Sequence, residues 1–226
     1  MPIPGISASQ IDIPVTSSSF STISLSGITS YITSVGTVGW FKDYAYISNS
    51  SATAGTQGLI VANGTLINST GWTLIPGHRW IWAATLGTKG VVGSGGGYIK
   101  SPTATTSTVL PDTRAMDNEA AFSPSTSYFA TTSAGNGEYN RFEWTGADPV
   151  WLQRPDTGAE PWVTIDFNTT TGFIAGDSGY LRGLDTNAVA AAENQTSSFG
   201  TTNINKVKWS SRAGYWLMVG DAGKVA

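Results

Sequence analysis

The chain has 226 residues, no cysteine, a formal net charge of −3 and only 12% charged residues. That length suits one large all-β domain or two small ones, with enough chain to bury a sizeable core unaided. The lack of cysteine excludes a disulfide framework and thiolate metal centres, and an acidic balance without any basic run argues against nucleic acid as the main partner.

Residues 1–39 differ from the rest. They hold one charged residue, Asp12, and fifteen Ser or Thr. Pro2, Pro4 and Gly5 open the segment and suit an extended arm. Ile11, Ile13 and Val15 then alternate as a strand does, and Ile23, Leu25, Ile28, Tyr31 and Ile32 continue less regularly. No Lys or Arg precedes Lys42 and no continuous apolar block occurs, so neither an ordinary secretory signal nor a membrane span is expected. Asn49, Asn63, Asn68, Asn168 and Asn194 each open an Asn-x-Ser/Thr triplet. Without a secretory route these read as chance in an Asn/Ser/Thr-rich chain.

The body reads as repeated hairpins. Gly90-Val91-Val92-Gly93-Ser94-Gly95-Gly96-Gly97-Tyr98-Ile99-Lys100 and Gly172-Phe173-Ile174-Ala175-Gly176-Asp177-Ser178-Gly179-Tyr180-Leu181-Arg182 align without a gap at a spacing of 82 residues. A third copy lies near the midpoint, Tyr128 to Tyr139, a fourth is Trp216 to Val225, and a weaker fifth is Gly58 to Ile67. The pivot glycines Gly64, Gly97, Gly137, Gly179 and Gly223 are spaced by 33, 40, 42 and 44 residues. Each unit is expected to begin with a strand bearing aromatic or apolar residues: Tyr44/Tyr46, Trp80/Trp82, Phe122, Val163/Ile165/Phe167 and Val207/Trp209. A polar turn follows, Ser48 to Gly55 in the first unit and Leu86-Gly87-Thr88-Lys89 in the second. Next comes a strand so apolar that both its faces should be buried. Asp177 and Asp221 stand where Asx side chains cap tight turns. The stretches 101–121, 140–161 and 183–205 are more variable and have room for an outer strand and a loop. Asn187 to Asn194, with Asp185 as a cap, is the one helix-capable patch.

A period near forty built from strands and turns is the signature of a β-propeller. The phrase strand, then [Gly/Ala]-[Asp/Ser]-x-Gly, then a short strand ending in Lys or Arg resembles the propellers of photosystem II assembly factors, sialidase-type BNR proteins and phage virion proteins. The resemblance covers about residues 40–226. It departs from the sialidase Asp-box, which wants Ser-x-Asp-x-Gly-x-x-Trp: Gly176-Asp177-Ser178-Gly179 is followed by Tyr-Leu-Arg-Gly. The expected fold is all-β, a small propeller of about five blades similar in size to five-bladed tachylectin-type lectins. Residues 1–35 are the expected N-terminal arm or closing strand, and residues 36–226 the propeller.

Candidate chemistry is thin. His78, the sole histidine, sits in Pro76-Gly77-His78-Arg79-Trp80 and reads as a turn residue rather than a catalytic one, since no Gly-x-Ser-x-Gly elbow accompanies it. Asp112, Asp117, Asn118 and Glu119 supply oxygen donors that suit Ca²⁺ in type, but their spacing matches no calcium loop and Arg114 competes for them. A sialidase-like site needs three arginines, and Arg79, Arg114, Arg141, Arg154, Arg182 and Arg212 suffice in number. Arg182, however, shares a repeat position with Lys100 and reads as a solvated strand end. A two-carboxylate glycosidase has Asp148, Asp156, Glu160 or Asp166 to draw on, and no motif marks them. Trp80, Trp82, Trp162 and Trp209 read as core. Trp72, Trp144 and Trp151 fall between units, and with Asp148 they are the candidate glycan- or partner-binding residues.

No catalytic residue, metal site or cofactor is therefore expected. The expected function is a non-enzymatic structural or adhesive component of a phage virion: tail, collar, fibre or capsid decoration. The expected partners are other virion proteins, met through the N-terminal arm in a symmetric assembly, and a host-surface glycan. The expected location is the virion, assembled in the host cytoplasm and then extracellular. A soluble five-bladed lectin is the alternative, and a sialidase-like glycosidase ranks below it.

Overall fold

The computed structural model describes residues 35–42, 44–49, 58–63, 72–76, 78, 80–94, 97–110, 119–132, 138–146, 148–153, 155, 161–192, 194–195 and 197–226. The arm or closing strand, the oxygen-donor residues Asp112, Asp117, Asn118, Asp156 and Glu160, and the arginines Arg79, Arg114 and Arg154 lie outside the described residues. What is described is all-β, without an α-helix.

Among the described residues, seventeen strands form five antiparallel sheets, each of strands consecutive in the chain. The first sheet holds β1 (Val35–Phe41), β2 (Tyr44–Asn49), β3 (Gly58–Asn63) and β4 (Trp72–Pro76). The second holds β5 (Trp80–Leu86), β6 (Lys89–Ser94), β7 (Tyr98–Lys100) and β8 (Thr108–Val109). The third holds β9 (Ala120–Phe122), β10 (Tyr128–Thr132), β11 (Tyr139–Trp144) and β12 (Pro149–Gln153). The fourth holds β13 (Trp162–Phe167), β14 (Gly172–Gly176) and β15 (Leu181–Leu184), and the fifth β16 (Ile204–Ser210) and β17 (Tyr215–Gly220). The first strands lie side by side in chain order: β1 beside β5, β5 beside β9, β9 beside β13, β13 beside β16.

The sheets stack by their faces, and the core is divided among their junctions. Phe41, Trp80, Trp82, Val92, Phe122 and Phe129 fill the space between the first three sheets. Tyr139, Trp162, Ile165, Ile174 and Leu184 join the third to the fourth. Ala175, Leu181, Phe199 and Ile204 join the fourth to the fifth. Val91 and Val92 on β6, and Ile174 and Ala175 on β14, are all fully buried. Both faces of these second strands are thus covered, as their unbroken apolar runs anticipate. The Tyr139 hydroxyl donates to the Ala188 carbonyl at 3.1 Å and accepts from the Ala190 N–H at 3.0 Å, tying the third sheet to the loop after the fourth.

Gly97, Gly179 and Gly223 lie at turns as expected, with φ of +77°, +72° and +70°. The weak fifth copy is placed differently. Gly58–Asn63 is the third strand of its sheet, paired with both β2 and β4, so this copy is shifted by one strand from the others, and its pivot Gly64 lies outside the described residues. Tyr44 and Tyr46 accordingly belong to the second strand and pair with β1, whose end carries the buried Phe41. The long polar insert between β2 and β3 hid this register. Asp177 and Asp221 do not cap their turns through the side chain. Their backbone N–H groups donate to the Pro161 and Asn203 carbonyls, both at 3.2 Å. The helix-capable patch forms no helix: Ala190 bridges to Leu184, and the Asp185 carboxylate accepts the N–H groups of Asn187 and Val189. Local capping chemistry wins there over a run of alanines too short to nucleate a helix.

Candidate functional site

The inner edge of a first strand has no strand beside it to take its N–H groups, which must find other acceptors. In the last two sheets, side chains of the preceding sheet supply them. Glu119, just before β9, accepts the Ile165 N–H of β13 at 3.2 Å. Thr164 of β13 accepts the Val207 N–H of β16 at 3.1 Å, and Asp166 accepts the Trp209 N–H at 2.8 Å. Here the strand alternation of β13 sends Thr164 and Asp166 toward the next sheet, while Ile165 turns back into the core.

These acceptors gather the principal charged cluster among the described residues. One Glu119 oxygen receives Lys206 Nζ at 2.7 Å and Lys208 Nζ at 2.9 Å. The other receives the Thr164 hydroxyl at 2.6 Å. Lys208 also reaches Asp166 at 3.7 Å. Burial pushes the Glu119 carboxyl up, but the Lys208 charge and the hydrogen bonds from Lys206, Thr164 and Lys208 together hold it below the usual range. The cluster lines a cavity of about 260 Å³ walled by Ala83, Ala84 and Thr85 of β5, with Phe122, Asp166 and Lys208. Lys206 and Lys208 stand at the repeat positions of Thr164 and Asp166, as the pairing of each strand with its hairpin partner shows. Lysine can only donate, so both turn back to Glu119.

Sequence reasoning weighed Glu119 only as one of four oxygen donors whose spacing matches no calcium loop, and Asp166 as an unmarked glycosidase carboxylate. The lysines facing both went unnoticed, since only the register of β16 against β13 brings Lys206 and Lys208 to residues far away in the chain. No group of three or more metal-ligating side chains occurs among the described residues.

The aromatic candidates separate. Trp144 is 7% exposed and packs edge-on against Phe41 and Phe122, so it is core rather than a surface anchor. Trp151 on β12 is half-buried, its indole N–H donating to Asn140 at 3.3 Å. Asp148 is exposed in the turn between β11 and β12. Trp72 opens β4 opposite Ala62, and its side chain lies outside the described residues. Asp148 and Trp151 therefore keep solvent exposure, and Trp144 does not. His78 stacks on Tyr98 with ring centroids 3.3 Å apart and meets Trp80 edge-on; burial and the nearby Lys100 lower its pKa. That is the environment of a packed turn histidine. Arg182 is half-buried and donates to Asn194 at 2.7 Å. Lys100, its repeat equivalent, is 2% exposed, donates to the Ala104 carbonyl at 2.7 Å and lies over the Trp80 ring. Neither is a solvated strand end: each long cation ties its strand to the chain just outside it.

Two clefts open at successive sheet junctions. One of about 380 Å³ is bordered by Tyr139, Gln153 and Arg182, and one of about 220 Å³ by Tyr180, Asn194 and Gln195. No helix among the described residues is long and apolar enough to cross a membrane. No protein-family model and no curated protein matches the chain.

Proposed function

We propose that the chain is a small β-propeller of about five blades acting as a non-enzymatic structural or adhesive module. One observation carries the non-catalytic reading: the carboxylates of the Glu119 cavity are consumed in capping strand edges and in ion pairs with Lys206 and Lys208. Both Glu119 oxygens are engaged, and one Asp166 oxygen holds a backbone N–H. A general acid or nucleophile needs a proton or lone pair free to meet substrate. Serial antiparallel sheets of consecutive strands, four-stranded in the first three, with neighbouring first strands support the propeller reading. The virion setting rests on composition and on the resemblance drawn from the repeat phrase. It is tested by asking whether the chain occurs at fixed, symmetric copy number in purified particles; irregular copy number or absence overturns it.

The lectin alternative draws on the paired clefts. Their linings differ, Tyr139/Gln153/Arg182 against Tyr180/Asn194/Gln195, which opposes equivalent sugar sites at each junction. A glycan array on the full chain separates the readings. Saturable binding that Trp151→Ala or Arg182→Ala abolishes, with folding intact, establishes the adhesive form, and a blank array favours the purely structural one.

A further inference from the structure

The Asn-x-Ser/Thr triplets that spacing alone reads as chance are not equivalent in the fold. Asn49 and Asn63 end β2 and β3 and are paired in the ladders, Asn49 with Val35 and Gly58, Asn63 with Tyr44. Asn194 stands at the cleft of about 220 Å³, its side-chain carbonyl taken by Arg182 Nε at 2.7 Å. Asn68 lies outside the described residues. Asn168 is the one among the described residues that opens a hairpin turn. It follows β13, and its N–H donates to the Thr171 carbonyl at 2.8 Å just before β14 begins.

At this turn the triplet Asn168-Thr169-Thr170 closes on itself. Asn168 Oδ1 accepts the Thr170 N–H at 2.9 Å, the Thr170 hydroxyl at 3.1 Å and the Thr171 N–H at 2.7 Å. An Asn carbonyl bonded to the backbone two residues on is an Asx turn, and the spacing of the triplet is what brings the hydroxyl to the same oxygen. Three donors on one oxygen fix the amide plane. They also draw charge toward that oxygen and make the Nδ2 protons more acidic. Nothing among the described residues takes Nδ2, so the nitrogen is left for an incoming group. Thr169 and Thr170 are exposed, and the turn is anchored from below by the Thr171 hydroxyl, which donates to the Leu184 carbonyl at 2.9 Å. A bulky group added at Asn168 meets solvent rather than core.

We propose that Asn168 is a saccharide-acceptor site, modified by transfer from a polyprenyl-diphosphate-linked oligosaccharide. Asn168 Nδ2 attacks the anomeric carbon of the donor. The N–C bond forms as the anomeric C–O bond breaks, the diphosphate leaves with the electron pair, and one Nδ2 proton passes to a base of the transferring enzyme. The inference rests on the turn alone and stands or falls separately from the virion reading. The test incubates the folded full chain with a purified single-subunit oligosaccharyltransferase and its lipid-linked donor, with an acceptor peptide as control. Intact mass and peptide mapping follow the product over time. The expected result is one added oligosaccharide, at Asn168, gained about tenfold faster than at the strand residues Asn49 and Asn63, which must open locally before they react. Asn168→Gln and Thr170→Val should abolish this first transfer and Thr170→Ser should retain it, with urea midpoints confirming that each variant folds. Modification of the control peptide alone overturns the proposal, as does a first transfer that falls on any other of the five triplets.

Discussion

Glu119 shows how much one side chain carries when its acceptors are shared among three sheets. Its carboxylate caps β13 and anchors Thr164 as well as both lysines of β16. Glu119→Gln keeps the shape and loses the charge, and a cost of about 2 kcal/mol at neutral pH is expected. The folded carboxyl titrates below its unfolded value, so the stabilisation is full above the usual carboxylate range and is lost as pH falls through the folded pKa. Urea melts from pH 7 to pH 3 should therefore show wild type and variant converging in acid. Lys100 behaves oppositely. Burial lowers its pKa to about 8. The charged form is penalised, so the cost is full below about 8 and gone above the ordinary value near 10.5. Relative to Lys100→Met, the wild type should gain up to roughly 3 kcal/mol across that window. A difference that stays flat with pH shows that the ammonium is solvated.

The unit of local structure is the Gly-Asp-x-Gly turn with the residue before its first strand. The Pro161 carbonyl lies 2.0 Å from where a Cβ on Gly176 would sit, and the Asn203 carbonyl 2.1 Å from that on Gly220. No side chain fits either place. Gly176→Ala and Gly220→Ala should each cost about 2–3 kcal/mol, read as a lower denaturation midpoint with unchanged slope. Ser178 and Ala222 adopt left-handed backbone at φ of +54° and +57°. Glycine at either position should stabilise by about 1 kcal/mol by relieving that strain. This level was largely legible in the sequence: three pivots with positive φ, and the buried runs Gly90-Val91-Val92 and Ile174-Ala175, follow from glycine and apolar spacing alone. The first sheet was misread by one strand because its turn contains a long polar insert in place of the short phrase. The site was not legible, because Glu119 meets Lys206 and Lys208 only through the register of sheets distant in the chain.

Across the whole molecule, stability resides in junctions rather than in sheets. Three core clusters succeed one another, and the fifth sheet has only one of its faces in any of them. Amide exchange in the full chain should rank protection accordingly, with β6, β10 and β14 slowest and Tyr215–Leu217 of β17 fastest among strand residues. Uniform protection in β17 and β14 would mean that the last sheet is covered as thoroughly as the fourth. The residues that finish one sheet, Ala190 to Gln195, also deliver the chain to the next. The repeating phrase and the folded layer are consequently out of phase. A copy of the chain cut from one Gly-Asp-x-Gly turn to the next holds the outer border of one layer and the inner strands of its successor. Duplicated copies of it interlock instead of merely abutting, so a chain of this kind lengthens by increments of about forty residues, each new piece already hooked to its neighbour.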